Sequence, residues 1–293
     1  MEVVDQSGGD PGVCCVIVNW NGWRDTADCL VSLRGQDYDN LQIIVVDNGS
    51  TDDSVERIRG AFPEVTLIET GRNIGFSGGC NVGLRAALAG GAEFLWLLNN
   101  DTVCPPETVS KLVGRAKASP EAGLIGTVLF YAHEPARVQA WGGGRVTPWI
   151  AYTTHFDAPA EFGRNCYTTF ASVLARRKML EEVGLLYQGF FMYYDDSDLC
   201  LRMQKTHWKI VMAEDTAVLH KEGGSTTTSE KPFITKVTTV SGLRFIRRNS
   251  KMSLVGVPIY VMLRLGNRLV RREWRGLRAV CEGVMEFMRE PMP

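Results

Sequence analysis

Short apolar segments that each end in polar residues are the feature of this sequence that most restricts its fold. Four such segments, rich in Val, Ile and Leu, lie at 13–19, 41–46, 65–69 and 94–98. Segments of this length that are apolar throughout predict strands buried on both faces of a sheet. Residues with helical spacing lie between them, and this alternation predicts an α/β fold with a mostly parallel central sheet covered by helices. Ligands of such sheets bind beyond the carboxyl ends of the strands.

Later segments of the chain are less regular. Glycines at 75–79 indicate a turn before a helix at 81–89, and the stretch 124–169, which carries prolines and glycines, indicates short strands and loops lying over the sheet. The remaining predicted elements are a strand at 171–175, a helix at 178–183, a helix at 195–205, closing strands at 210–212 and 217–219, and helices beyond 231.

The charge balance argues against one class of partner. Lys and Arg total 32 against 33 Asp and Glu, which gives a net charge of −1. A general electrostatic attraction to nucleic acid is therefore not expected. The C-terminal region differs from the body, because ten basic residues and one acid, Glu273, lie between 244 and 278.

Cysteine use and hydropathy indicate the compartment. The eight cysteines show neither a CxxC pair nor zinc-type spacing with histidine, so we expect reduced thiols in the cytoplasm. Residues 1–12 lack the apolar core of a signal peptide. The apolar stretch 252–263 is interrupted by Gly256 and Pro258 and is shorter than the roughly 20 residues that a bilayer span requires.

Polar residues and glycines follow the second and third predicted strands. A carboxylate such as Asp47 can accept the imide N–H of a uracil or thymine ring, and glycines let the backbone approach a nucleotide closely. The same residues are also typical of a turn followed by a helix N-cap. Neither a P-loop nor a GxGxxG motif after the first strand is present. The candidates on these segments are Asp47, Asn48, Asn73, Gly75, Gly78, Gly79 and Asn81.

The fourth predicted strand ends in Asn99, Asn100 and Asp101. A carboxylate there presents a hard oxygen ligand at the edge where ligands bind, and Mg²⁺ or Mn²⁺ takes few protein ligands when it also holds diphosphate oxygens. His220, at the end of a closing strand, is a candidate second ligand, although a lone histidine is more often structural.

Three carboxylates, Asp195, Asp196 and Asp198, lie at the start of one predicted helix. N-capping explains one of them, but like charges this close raise one another's pKa. A carboxylate with raised proton affinity suits a general base that accepts a proton from a sugar hydroxyl. Aromatic residues just upstream either wall an acceptor or fill the core; they are Phe190, Phe191, Tyr193 and Tyr194.

Taken in order, these stretches resemble the inverting family 2 glycosyltransferases of the GT-A fold, and most closely the bacterial rhamnosyltransferase-like branch. The resemblance covers about residues 13–225. Its motifs are VIVNWNG at 16–22, IVVDNGSTD at 44–52, NIGFSGG at 73–79, LLNND at 97–101, the stretch 190–202, and VLH at 218–220 with GGS at 223–225.

The resemblance implies roles for these residues. Asp47 is expected to hold the donor base, Asp101 and His220 to bind Mg²⁺ or Mn²⁺, and Asp196 to act as the catalytic base, with Asp195 as the alternative base. The donor site is expected to comprise Asn19, Asn21, Asp47, Asn48, Asn73, Gly75, Gly79, Asn81, Asn99 and Asn100. The acceptor site is expected to comprise Trp141, Gly143, Tyr194 and Asp198.

Three positions depart from the family pattern. Asn99 replaces the first acid of the DxD-like motif, Asp195 stands where a glutamate is usual, and Phe170 stands where a glycine is usual. The implied reaction is a single inverting displacement from a nucleoside diphosphate sugar, with dTDP-rhamnose as first choice, to a saccharide or polyprenyl-linked hydroxyl in cell-surface polysaccharide synthesis. The alternative, favoured by Asn99, is a non-catalytic nucleotide-sugar-binding or scaffold protein. A nucleotidyltransferase is disfavoured, because no Gly-rich basic loop follows the first strand.

The expected organisation has three parts. Residues 1–12 are expected to be a flexible N-terminus, and 13–230 a GT-A catalytic domain with a nucleotide-binding half, 13–104, and an acceptor half, 120–230. Residues 231–293 are expected to form a basic amphipathic helical extension. That extension either contacts the anionic face of the cytoplasmic membrane or packs on the catalytic domain or a partner subunit, so a homodimer stays open.

Overall fold

The computed structural model describes residues 10–221 and 231–290. Most of the expected flexible N-terminus and the motif at 223–225 lie outside them. The strands are β1 (Val13–Asn19), β2 (Leu41–Asp47), β3 (Thr66–Glu69), β4 (Phe94–Asn99), β5 (Thr102–Val103), β6 (Ala122–Tyr131), β7 (Glu134–Ala140), β8 (Gly143–Thr147), β9 (Tyr152–His155), β10 (Cys166–Thr168), β11 (Ser172–Arg176) and β12 (Lys209–His220). The helices are α1 (Trp23–Arg34), α2 (Ser54–Ala61), α3 (Gly75–Ala89), α4 (Thr108–Ala118), α5 (Arg177–Val183), α6 (Asp195–Met203), α7 (Lys231–Asn249), α8 (Ser253–Val270) and α9 (Trp274–Met288).

A nine-stranded sheet forms the centre of the molecule, in the order β3-β2-β1-β4-β11-β6-β12-β5 with β7 paired to β6. Strands β1, β2, β3, β4, β6 and β12 run in one direction, whereas β5, β7 and β11 run in the other. The expected α/β fold with a mostly parallel central sheet is therefore confirmed. Apolar side chains from both faces of this sheet pack into two hydrophobic clusters beneath the helices.

The sequence predicts a turn at residues 75–79, but these residues form the first turns of α3. They allow that helix to approach the sheet closely. A Cβ atom on Gly79 would lie 2.9 Å from Val18 Cγ1, and one on Gly83 would lie 2.3 Å from Val16 Cγ1. The absence of a side chain at these positions therefore permits close helix–strand packing.

The stretch 124–169 corrects a second expectation. Strand β6 is not a loop over the sheet but an interior strand between β11 and β12, and β7 pairs with its other end. Only β8, β9 and β10 form a separate three-stranded sheet. The closing strands at 210–212 and 217–219 are likewise one strand, β12, with a register shift between Ala213 and Ala217.

Helices α7, α8 and α9 follow the sheet, as expected for the C-terminal extension. Helix α7 packs through buried Leu243, Phe245 and Ile246 into one of the two hydrophobic clusters of the sheet. No helix among residues 10–221 and 231–290 is long and apolar enough to cross a membrane. All eight cysteines are free thiols, and seven of them are buried.

Candidate active site

Asn19 and Asp47 meet at the carboxyl ends of β1 and β2, because the parallel register pairs these two positions. Asn19 Nδ2 donates to Asp47 Oδ2 over 2.8 Å, and Thr26 Oγ1 donates to Asn19 Oδ1 over 2.8 Å. The backbone N–H of Ser50 donates to Asp47 Oδ1 and its hydroxyl to Asp47 Oδ2. Both side chains are buried. The hydrogen bonds of Asp47 therefore fix the loop that follows β2.

Other members of the expected donor set also hold loops in place. Asn48 Nδ2 donates to Asn73 Oδ1 and to the carbonyl of Gly75, which closes the segment before α3. Asn21, in the left-handed region at φ 52°, accepts from the backbone N–H of Thr51. Two more are anchored elsewhere: Asn81 bonds both backbone groups of Leu186, and Asn100 donates to Thr26 Oγ1.

Gly75 joins the two halves of the site. Its φ is +79°, and a Cβ atom there would lie 2.4 Å from the carbonyl oxygen of Phe191. The next N–H, of Phe76, donates to that same carbonyl over 2.6 Å. Only glycine fits this crossing of two backbones, which places the start of α3 against the segment that leads to the acidic cluster.

Asp101 and His220 lie side by side, as the resemblance implied. Asp101 Oδ1 is 3.1 Å from His220 Nε2, and Asn99 Nδ2 is 3.3 Å from the same nitrogen. His220 Nδ1 lies 2.8 Å from Gln139 Oε1, a partner that no sequence motif indicated. The contact of Nδ1 with Gln139 orients the ring so that Nε2 faces the carboxylate of Asp101.

This pair fits a divalent cation in part. Among the described residues, no group of three or more His, Cys, Asp and Glu side chains could hold a metal ion. One imidazole nitrogen and one carboxylate oxygen converge at Asp101 and His220, which would leave coordination positions for oxygens of a bound diphosphate. The two side chains Asp101 and His220 therefore suit a cation that is bound together with a nucleotide.

A cavity of about 430 Å³ lies beside the acidic cluster, and neither Asp101 nor His220 lines it. Asn99, which contacts His220, lies on its wall, as do Asp195 and Asp196. The remaining lining residues are Phe76, Thr153, His155, Tyr167, Thr169, Phe170, Ala171, Met192, Tyr193, Tyr194, Ser197 and Thr238. The fold thus brings two distant parts of the chain to a single cavity.

Two consecutive residues with positive φ lead into the acidic cluster. Tyr193 and Tyr194 have φ values of 71° and 66°, and α6 begins at the next residue. Burial, with the nearby charge of Asp196, raises the pKa of Asp195 to about 8. Burial also raises the pKa of Asp196, and this is partly offset by hydrogen bonds from Ser197 to its Oδ1.

The pKa values distinguish the two carboxyl groups of Asp195 and Asp196. Both pKa values are raised, that of Asp195 further, so the negative charge of the pair favours Asp196 over Asp195. Asp196 is also the more exposed of the two. Among the hydrogen bonds of the described residues, its Oδ2 has no partner, whereas Oδ1 binds Ser197.

Three expected acceptor residues do not reach the cavity. Asp198 is fully buried and accepts hydrogen bonds from Arg202, Arg248 and Asn249. These contacts link α6 to α7 and turn the side chain to the interior of the protein. Trp141 and Gly143 do not line the cavity either. Gly143 lies in the three-stranded sheet, where a Cβ would meet the backbone of β10. The fourth, Tyr194, lines the cavity, and its hydroxyl donates to the carbonyl of Ala151.

Several cavity residues carried no signal in the sequence. His155, at the end of β9, also lines the cavity and contacts the hydroxyl of Tyr167 at 3.4 Å; it offsets part of the rise that burial causes in the pKa of Asp196. Thr238 reaches the cavity from α7, beyond the stretch that carries the motifs. Phe170, noted as a departure from the family pattern, is also on the wall.

The sequence of residues 14–184, which is more than half of the chain, matches the protein family described as "Glycosyl transferase family 2". The chain belongs to glycosyl transferase family 2. The matched range contains the loops after β1, β2 and β4, as well as Asp101. This protein is therefore a glycosyltransferase, and the resemblance seen in its motifs is confirmed.

Two curated relatives of this chain are named by the sugar that they transfer. The N-acetylglucosaminyl-diphospho-decaprenol L-rhamnosyltransferase of Mycobacterium tuberculosis is 27% identical over 210 residues, which cover 64% of this glycosyltransferase and 68% of the relative. The galactofuranosyltransferase GlfT1 of Mycolicibacterium smegmatis is 34% identical over 199 residues, 66% of each chain. Relatives of this family 2 protein thus include enzymes that transfer rhamnose and galactofuranose.

Solved structures support the GT-A fold. The mannosyltransferase PcManGT from Pyrobaculum calidifontis, in complex with GDP-Man and Mn²⁺, matches 98% of this chain and 77% of its own with a TM-score of 0.58 and 17% identity. GalNAc-T7 with UDP, GalNAc and Mn²⁺ matches 78% of this chain and 48% of its own, with a TM-score of 0.60 and 14% identity. At these identities the likeness concerns the fold alone.

Proposed function

We propose that this glycosyltransferase moves a sugar from a nucleoside diphosphate donor to a hydroxyl of a lipid-linked saccharide, with inversion at the anomeric carbon. The observation that carries the proposal is the cavity whose wall includes both Asn99, the neighbour of His220, and Asp196. One cavity of about 430 Å³ would then serve the two halves of a single displacement. A rhamnosyltransferase acting on a decaprenol-linked substrate is among the relatives, which supports dTDP-rhamnose as the first donor to test.

In this proposal Asp196 is the general base. Its carboxylate accepts the proton of the acceptor hydroxyl as that oxygen attacks the anomeric carbon from the side opposite the diphosphate. Asp195 beside it has the more strongly raised pKa of the two, so the proton that the pair retains favours Asp195. Asp101 and His220 would hold Mg²⁺ or Mn²⁺, and solved structures of the same fold contain Mn²⁺ with a nucleotide. Such a cation supplies Lewis-acid stabilisation for the charge of the departing diphosphate.

A second donor sugar is favoured by one observation. GlfT1, a galactofuranosyltransferase, is more nearly identical to this chain, at 34%, than the rhamnosyltransferase is, at 27%. Activated galactofuranose is therefore the alternative donor.

The proposal is tested by supplying purified protein with Mg²⁺ or Mn²⁺, a polyprenyl diphosphate N-acetylglucosamine acceptor and one sugar nucleotide at a time. We expect transfer from dTDP-rhamnose, loss of transfer with EDTA, and a product of inverted anomeric configuration by NMR. Transfer of galactofuranose instead would replace the donor. Binding of a sugar nucleotide, seen as a raised melting temperature, without transfer to any acceptor would favour the scaffold alternative.

A further inference from the structure

Helix α8 has one face that packs on the rest of the molecule. Tyr260 is buried, and its hydroxyl donates to the carbonyl of Thr238 in α7 over 3.1 Å. Arg264 donates to the carbonyl of Thr235 over 3.0 Å. A Cβ on Gly256 would lie 1.8 Å from the carbonyl oxygen of Trp149, so backbone meets backbone there. This face is fixed against α7 and the loop after β8.

The opposite face of α8 is apolar and exposed along the whole helix. Leu254 is 88% exposed, Met262 is 61%, Leu263 is 59% and Val270 is 85%. These positions recur at about helical spacing, and an 18-residue helix is about 27 Å long. The outer face of α8 comprises Leu254, Val255, Pro258, Met262, Leu263, Leu269 and Val270. An exposed apolar stripe of this length marks an interaction surface and not ordinary surface variation.

Positive charge collects at the C-terminal end of this stripe. Arg271, Arg272 and Arg275 are exposed and form no ion pair with any residue in the described part of the chain. Trp274, between them, is 66% exposed. Helix α8 itself contains no Asp or Glu. An apolar face, an exposed indole and unpaired arginines together match the chemistry of an anionic membrane surface.

We propose that the outer face of α8 lies in the headgroup region of an anionic lipid bilayer, with Arg271, Arg272 and Arg275 on the lipid phosphates. The helix lies on the membrane and does not span it. Charge favours lipid over a second copy of this chain, because the same face of a partner copy would bring further arginines and no acid from α8. Anionic lipid supplies both the apolar phase and the negative charge.

The surface is connected to the cavity by direct contacts. Tyr260, on the packed face of α8, bonds the backbone of Thr238, and Thr238 lines the cavity. A helix is about 10 Å across, so a bilayer against the outer face lies about one helix diameter from α7. This geometry would suit an acceptor held in the membrane; that part of the inference rests on the proposed function, whereas lipid binding does not.

Co-sedimentation with vesicles tests the inference directly. The probe is a vesicle of phosphatidylcholine with about 30% phosphatidylglycerol, compared with phosphatidylcholine alone. We expect the full-length protein to bind the anionic vesicles, and about 500 mM salt to weaken that binding relative to about 50 mM. Met262→Glu with Leu263→Glu, and separately Arg271→Ala with Arg272→Ala and Arg275→Ala, should each lower the partition coefficient at least about tenfold.

The controls match the variants in exposure. Val31→Glu changes an apolar residue that is 59% exposed on α1, and Lys178→Ala removes an exposed charge on α5; neither should change vesicle binding. Circular dichroism melting verifies that each variant is folded.

The inference is overturned if the wild-type protein does not bind anionic vesicles, or if the Met262 and Leu263 variant binds them as well as the wild type does. It is also overturned if sedimentation velocity shows a dimer that this variant dissociates, because the face would then be occupied by a second copy. Sugar transfer to a water-soluble acceptor analogue is measured in parallel. Retained transfer without vesicle binding would reject the membrane surface and leave the proposed function standing.

Discussion

Arg248 Nε lies 3.2 Å from Asp198 Oδ1, and this contact joins the C-terminal helix α7 to α6, the helix that begins with Asp195 and Asp196. Arg202 Nε binds the other oxygen of Asp198 at 2.9 Å. Asp198 is fully buried, and these two guanidinium groups lie against its two carboxyl oxygens. The C-terminal extension is therefore part of the structure that holds the candidate base.

Asp198→Asn should destabilise the protein. The substitution keeps the shape of the side chain but leaves two partly buried guanidinium groups without their counter-charge, which costs about 3–5 kcal/mol when one partner of a buried ion pair is removed. Urea unfolding measures the effect. Asp53→Asn, which removes a solvent-exposed pair with Arg57, is the control and should change little. Equal stability of the two variants would contradict a structural role for Asp198.

The raised pKa of Asp195 makes stability depend on pH. Its carboxyl group has a higher pKa in the folded protein, about 8, than in the unfolded chain, near 3.8, so between these values the folded state holds the extra proton. The protonated carboxyl group of Asp195 therefore contributes fully to the free energy of unfolding below pH 3.8, and this contribution is lost as pH rises to about 8. Asp195→Asn should therefore raise the melting temperature more at pH 8.5 than at pH 5, by at least about 2 °C. An equal change at both pH values would show that Asp195 titrates normally.

The pairing of Asp101 with His220 predicts a specific loss of metal dependence. Asp101→Asn and His220→Ala should each raise the Mn²⁺ concentration needed for half-maximal transfer by at least about tenfold, since each removes one of two protein ligands. Metal titration of the transfer rate measures this. Asp28→Asn is the matched control, because Asp28 binds Lys221, the neighbour of His220, and no proposed ligand. An unchanged Mn²⁺ titration in both variants would contradict metal binding by Asp101 and His220.

Packing of α3 on β1 can be tested through its glycines. Gly83→Ala would place a methyl group 2.3 Å from Val16 Cγ1, and such overpacking costs about 1–3 kcal/mol. Gly114→Ala is the control in α4, where no atom lies within 4 Å of the new Cβ, and alanine there should stabilise the helix by up to about 1 kcal/mol. Urea unfolding of the two variants should give changes of opposite sign.

The sequence predicts the N-terminal part of the sheet well, for a physical reason. Strands buried on both faces are continuous apolar segments, and parallel neighbours end at the same edge, so the meeting of Asn19 with Asp47 follows from the pattern. The contact between Asp101 and His220 does not follow from any local pattern. His220 was a candidate second ligand because it ends a closing strand, and the family resemblance implied the same pair; the contact itself depends on β5 and β12, which pair across a long stretch of chain.

Glycine misled the prediction in two places. In α3, Gly75 and Gly79 indicated a turn, yet the residues serve close packing of helix and backbone. In the stretch 124–169, prolines and glycines indicated short strands and loops over the sheet, yet its first residues belong to the interior strand β6, where a Cβ at Gly126 would lie 2.6 Å from Thr168 Oγ1. His155 was missed because it stands alone on a short strand of the smaller sheet. Its position beside the acidic cluster depends on tertiary packing that the local sequence does not encode.

The rate of sugar transfer by Asp196→Asn, measured at saturating donor and metal beside Asp195→Asn, tests the central claim most directly. If Asp196 is the base, its variant should lose at least about two orders of magnitude in rate while still binding the donor. Asp195→Asn should lose less than about tenfold, because the asparagine replaces the carboxyl group of the pair that holds a proton more strongly. A full rate in Asp196→Asn would contradict the account.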